Sequence, residues 1–240
     1  RVPRLLLQDG RVAERAACRE ARLLVRHPPR DVALDLAVDF DARRIGGTAA
    51  LDIERQPDAR EIVLDSKGLE IRSIRDGAGQ PLQHTLGAND EHMGAPLAIA
   101  LRPDTRRILI DYLSAPDAGA LQWLNPQQTA GKKHPYLLSQ GQAIENRSWI
   151  PTQDSPGIRQ TWEAVIRVPA GLTAVMSAPK AAEPMTQGGE SVFSYKMPHS
   201  VAPYMIAIGV GDLAFRELGP RTGVWTEPAM LDRAAAELAD

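Results

Sequence analysis

Apolar and polar positions alternate from Asp31: Val32, Leu34, Leu36, Val38 and Phe40 are interleaved with Ala33, Asp35, Ala37 and Asp39. A strand turns successive side chains to opposite faces, so this period of two predicts a half-buried β-strand. The period returns over Gln160–Val168, where Trp162, Ala164, Ile166 and Val168 share one face and Thr161, Glu163, Val165 and Arg167 the other. Shorter runs at Thr48–Glu54, Glu61–Asp65, Leu69–Arg75, Pro96–Leu101, Arg107–Leu113, Leu172–Ser177, Glu190–Met197 and Tyr204–Val210 read as further strands. The punctuation between them fits. Asp41–Gly47 reads as a turn ending in two glycines able to take positive φ, Asp76-Gly-Ala-Gly79 as a hairpin connection, and Pro169-Ala-Gly171 and Gln187-Gly-Gly189 as turns.

Helical spacing is confined to the ends. Val12, Ala16, Arg19 and Leu23 predict a short helix over 11–26, stopped by Pro28-Pro29, and Glu227-Pro228 opens a second over 229–240. The expected fold is therefore mainly β, with a short helix at each end: an arm over 1–29, a β-rich body over 30–226, and the start of something further over 227–240. Strands this closely spaced leave no room for helical crossovers, so mostly antiparallel pairing in a mixed sheet is expected. The 19 glycines and 19 prolines in 240 residues exceed the roughly 12% of average usage, which agrees with many turns.

Composition narrows the function more by exclusion than by suggestion. A net charge of −2 gives no basic excess for a phosphate backbone, so no nucleic-acid partner is expected. No apolar run reaches the roughly 18 residues of a membrane span, so no membrane partner is expected. The N-terminus lacks Met and a signal h-region, is read as incomplete, and leaves localisation undetermined. One cysteine, Cys18, rules out an internal disulfide and a Cys₄ or Cys₂His₂ zinc site. His27, His84, His92, His134 and His199 contain no pair four apart and no Glu directly after any of them, so the zinc-hydrolase helix motif is absent. A nucleophile elbow and a P-loop are absent too, and Gly209-Val-Gly211 reads as a β-bulge or turn rather than a dinucleotide loop.

The informative stretch is His134–Ala178. At its centre Gln140-Gly141-Gln142-Ala143 places two uncharged primary amides side by side between apolar flanks. Such a pair suits a pocket that hydrogen-bonds a peptide or an amine, and equally suits two surface glutamines on a loop.

The motifs of this stretch resemble those of the N-terminal domain of M1 zinc aminopeptidases, in the leukotriene A4 hydrolase-like branch. They are Ser139-Gln140-Gly141-Gln142-Ala143-Ile144, Arg147, Pro151-Thr-Gln153-Asp154-Ser-Pro156, Thr161 and Val175-Met176-Ser177-Ala178. They are joined by Gln122-Trp123-Leu124-Asn-Pro126 upstream and Gly219-Pro220-Arg221-Thr222 with Val224-Trp225 downstream. The resemblance implies a saddle-like β domain that covers a zinc-bearing catalytic domain, with Gln140, Gly141, Gln142 and Ala143 lining the substrate cleft. It implies that Gln142 stands where many of these enzymes carry a Glu for the substrate α-amine, and that Gly141 and Ala143 keep the cleft edge low. On the same reading Arg147 and Asp154 are loop-ordering partners, and Trp149, Trp162 and Trp225 are core or inter-domain packing residues. No catalytic residue and no metal ligand is assigned within the chain. Zinc, the zinc-bound water that attacks the first peptide bond, and the general base are expected in a catalytic domain beyond Asp240. The implied partners are that domain and the N-terminus of a peptide substrate, and the chain alone is expected to be inactive. Two other readings stand beside this one: a stand-alone β-rich peptide-binding module that pairs with an extended peptide by strand addition, and a purely structural domain.

Overall fold

The computed structural model describes residues 29–54 and 59–239. The helix expected over 11–26, Cys18 and His27 lie outside the described residues. In chain order the strands are β1 (Pro29–Asp39), β2 (Arg44–Ile53), β3 (Glu61–Ser66), β4 (Glu70–Asp76), β5 (His84–Leu86), β6 (Ala95–Ala100), β7 (Arg107–Leu113), β8 (Leu121–Leu124) and β9 (Tyr136–Ser139). After a long connection come β10 (Gln160–Pro169), β11 (Thr173–Met176), β12 (Lys180–Gln187), β13 (Glu190–Val201), β14 (Ile208–Gly211), β15 (Ala214–Gly219) and β16 (Thr222–Thr226). A short helix, α1 (Leu231–Glu237), follows a 3₁₀ turn at Pro228–Met230.

Four sheets result. The largest has seven strands in the order β12-β13-β10-β1-β2-β7-β4; beside it are β11-β14-β9-β8, β3-β6-β5 and the hairpin β15-β16. Among the described strands every pairing is antiparallel except β1 with β10, which run parallel with Leu36 opposite Ile166. That exception follows from connectivity, because β10 returns after more than a hundred residues and no hairpin dictates its direction.

The period of two does what it should. Val32, Leu34, Leu36 and Val38 of β1 and Trp162, Ala164, Ile166 and Val168 of β10 all lie in one buried cluster, with Ile108, Ile110 and Tyr112 of β7. The opposite face is polar and paired: Thr161 donates to Asp31 at 2.7 Å, Arg167 meets Asp35, and Asp111 accepts from Thr48 at 2.6 Å and from Arg75 at 2.7 Å. These pairs, exposed or only partly buried, add little stability and mainly keep the outer face polar.

Several expectations need correction. Gly46 and Gly47 sit inside β2 rather than in the turn; Gly47 does take the positive φ expected of it (148°), and within the turn itself Arg43 does so too (52°). Gly47 is required by close approach: a Cβ would lie 2.1 Å from the Asp35 carbonyl of the neighbouring strand. Gly209 and Gly211 likewise lie within β14, and a Cβ on Gly211 would meet the Tyr136 ring at 2.5 Å. Tyr204–Val210 divides into a 3₁₀ turn at Pro203–Met205 and the later β14. Of the two packing roles expected for the tryptophans, Trp149 and Trp162 take the core one, whereas Trp225 lies outside the core, 38% exposed and packed on the half-exposed Phe215 at 5.0 Å between centroids. β12 is exposed along its whole length, which erased the alternation that reveals strands.

Replacing Gly47 by Ala is expected to cost about 2–3 kcal/mol through the forced separation of β1 and β2 together with the positive φ the new side chain would have to hold. Gly157 has nothing within 4 Å of an added Cβ, so Gly157→Ala is expected to stay within about 0.5 kcal/mol. Urea midpoints at unchanged m-value check the pair, and equal effects of the two substitutions would contradict the close-approach account.

Candidate functional site

The connection from β9 to β10 runs over residues 140–159 and is anchored at nearly every turn. At its start the Ser139 hydroxyl accepts from the Ile208 amide at 2.9 Å, and the Gln140 amide donates to the Ala120 carbonyl at 2.8 Å. A single 3₁₀ turn follows at Asn146–Ser148, and all three of its residues are buried. The Ser148 hydroxyl donates to the Glu145 carbonyl at 2.7 Å and accepts from the Ala120 amide at 3.0 Å. Burying a loop this deeply is tolerable only because its backbone groups find partners.

Arg147 is the centre of these anchors. Its side chain is 2% exposed. Nη2 donates to the Asp154 carbonyl at 2.7 Å, Nη1 donates to the Met93 carbonyl at 2.8 Å, and the Arg147 amide donates to Asp154 Oδ2 at 2.9 Å. Asp65, on β3, lies 3.4 Å from Nη1 and accepts from the Asp154 amide at 2.8 Å. The Lys67 amide donates to the Arg147 carbonyl, the Asp65 amide to the Thr152 carbonyl, and Gln153 Nε2 to the Val63 carbonyl. The expected Arg147–Asp154 partnership is therefore present, and it fastens the loop to the three-stranded sheet. Two carboxylates share one guanidinium here. Burial pushes Asp154 up to about 6 even though the Arg147 amide and charge oppose it, and burial raises Asp65 as well.

On this base the Gln140–Ala143 segment is presented outward. Gln140, Gln142 and Ala143 are exposed, whereas Gly141 is buried. The Gln140 Oε1 accepts from the Gln142 amide at 3.2 Å, which uses the acceptor half of Gln140 internally. The Gln142 side-chain amide takes no hydrogen-bond partner among the described residues, so its acceptor and both donors are available. The Gln142–Ala143 peptide bond is cis. Gly141 is explained from the inside: a Cβ there would lie 2.2 Å from Asn146 Oδ1. Asn146 itself was not singled out in the sequence, because a lone Asn in a loop carries no pattern that announces burial.

The Peptidase M1 N-terminal domain family matches residues 28–205. The chain belongs to that family. Leukotriene A-4 hydrolase of Xenopus laevis is 37% identical over 215 residues, 86% of this chain and 35% of that protein. Aminopeptidase B of Mus musculus is 35% identical over 227 residues, 85% of this chain and 34% of that protein. The solved structure of yeast leukotriene A4 hydrolase in complex with bestatin superposes with a TM-score of 0.80 at 27% identity, covering 89% of this chain and 33% of that one. The chain thus spans about a third of the length of these relatives. More distant M1 structures that share the fold are described as zinc metallopeptidases. The described residues of this M1 domain do not fit that metal: no three His, Cys, Asp or Glu side chains gather to hold an ion, and His84, His92, His134 and His199 are exposed and scattered. No helix among the described residues is long and apolar enough to cross a membrane.

The Asp154 carboxyl yields a pH dependence. It titrates near 6 in the fold against an ordinary value of 3.8, so between these values the native state holds a proton that the unfolded chain has released. Stability is therefore expected to fall as pH rises from about 4 through about 6 and to level above, by on the order of 2 kcal/mol for this group. Asp154→Asn keeps an acceptor for the Arg147 amide and removes the titration. Denaturation followed across pH should show a flatter curve for the variant, and an unchanged slope would refute the assignment.

Proposed function

We propose that this chain is the non-catalytic, substrate-facing domain of a zinc aminopeptidase and that Gln142 receives the free α-amine of a peptide substrate. The observation that carries this reading is the unpartnered, exposed Gln142 amide on a loop whose supports are buried. A binding group gains most when it is held before the ligand arrives, since the ordering cost has already been met. The membership in the M1 N-terminal family and the likeness to leukotriene A4 hydrolase and aminopeptidase B support the substrate class. The amide oxygen of Gln142 accepts from an ammonium without forming an ion pair, which is weaker than the charge-assisted contact a carboxylate makes. Gln140, with its oxygen turned to the Gln142 amide, has donors left for a peptide carbonyl. Gln142 and Gln140 would read the backbone ends of the substrate, leaving side-chain preference to other parts of the protein. Zinc and the bond-breaking groups would be supplied by polypeptide outside the described residues, and that same polypeptide would be the domain's main partner.

The test uses paired competitive inhibitors, one bearing the α-amine and one lacking it, on the full-length protein. Gln142→Ala is expected to lower the preference for the amine-bearing compound about tenfold, and Gln142→Glu to raise it by a comparable factor. Preference unmoved by both substitutions would sink the amine assignment. The 240-residue chain alone is expected to turn over no amino-acid amide, and turnover that survives chelation would overturn the non-catalytic role.

A further inference from the structure

Asn146 sits where two separate segments meet beneath the glutamine edge. Its side chain is fully buried. Nδ2 spends both hydrogens on a different segment, donating to the Pro203 carbonyl at 2.5 Å and to the Ile206 carbonyl at 2.9 Å. Oδ1 accepts from Trp149 Nε1 at 2.9 Å, and Trp149 is itself wholly buried. Both donors of the amide thus hold the segment Pro203–Ile206 against the turn that follows Gln142, while its oxygen is braced by the Trp149 indole. On its upper side the same Oδ1 fills the space that any Cβ on Gly141 would need, and the Tyr204 carbonyl lies 3.1 Å from that position. Glycine at 141 and asparagine at 146 therefore form one fitted unit, in which the small residue lets the edge settle onto the amide.

We propose that Asn146 is the positioning residue of the Gln140–Ala143 edge, fixing its height and direction relative to the Pro203–Met205 turn. The proposal rests on the reading of Gln142 as the amine acceptor. It makes the substrate edge composite: the exposed Met205, 45% accessible, stands on the turn that Asn146 clamps, and becomes the second rim of the same edge. Ser177 ties that turn from beyond, donating to the Met205 carbonyl and accepting from the Ala207 amide at 3.0 Å. Asn146 touches no substrate in this account and acts through Gln142.

Two substitutions in the full-length protein attack the unit from opposite sides. Asn146→Asp keeps the volume and the acceptor for Trp149 but loses both donors to Pro203 and Ile206. Gly141→Ala leaves those donors alone and inserts a methyl group against Oδ1. Each is expected to raise KM for a free-amine peptide about fivefold while kcat moves less than about twofold. Neither is expected to add to the KM effect of Gln142→Ala, since both act through that side chain. Hydrogen exchange gives an arm independent of substrate: amides in 140–145 and 204–207 should exchange about tenfold faster in folded Asn146→Asp, with β10 and β13 unchanged and no such effect from Gln142→Ala. Unaltered exchange in both segments, or KM effects that simply add to that of Gln142→Ala, would overturn the proposal. Should Gln142→Ala itself leave KM unmoved, the amine reading fails and the exchange arm alone decides the role of Asn146.

Discussion

A guanidinium taken almost completely out of water sets the terms for the glutamine-bearing loop of this domain. An unpaired charge at the Arg147 position would be prohibitively costly, and losing one partner of a buried pair typically costs 3–5 kcal/mol. The chain meets that demand by bringing three separate stretches to Arg147: Asp65 from β3, the Met93 carbonyl from the turn before β6, and Asp154 from the far side of its own loop. Wherever those groups are satisfied together, the loop over 140–154 has little freedom left. The rigidity of the glutamine edge is thus a consequence of an electrostatic requirement some residues away from it.

The same cluster explains why the loop is buried and yet carries an exposed amide. Its inner side, Asn146 to Ser148, belongs to the core and is held by backbone carbonyls and the Trp149 indole, with Arg147 Nε left facing the Asp154 carboxylate at 3.5 Å without a hydrogen bond. Its outer side, Gln140 to Ala143, has only one internal hydrogen bond between side chain and backbone, from the Gln142 amide to Gln140. A segment that is fixed below and uncommitted above is suited to recognising a ligand without reorganising. The seven-stranded sheet shares one apolar cluster, which includes Trp162 of β10, with the three- and four-stranded sheets.

Much of this was legible in the sequence where burial is one-sided. β1 and β10 announced themselves because one face is core and the other is water, so polarity alternates with the pleat. The elements that escaped are those for which that contrast fails. β12 is exposed on both faces, β8 and β9 are only four residues long, and β15 and β16 carry their aromatic pair, Phe215 and Trp225, on an accessible face. The glycines misled for a related reason. Gly46, Gly47, Gly209 and Gly211 serve close approach between strands, and spacing along the chain does not reveal what lies across a sheet. At the site, Gln140, Gln142, Arg147 and Asp154 stood out through motif resemblance. Asp65 and Asn146 did not, because their importance comes from partners 89 and 57 residues away.

The central claim is that a prefixed amide edge receives the amine end of a peptide. The most direct measurement is a crystal structure of the full-length protein with an amine-bearing dipeptide analogue bound. The account requires the analogue's ammonium within about 3 Å of Gln142 Oε1, with residues 140–147 in the same conformation with and without ligand. An ammonium held elsewhere while Gln142 faces bulk solvent, or a loop that rebuilds itself around the ligand, would contradict it.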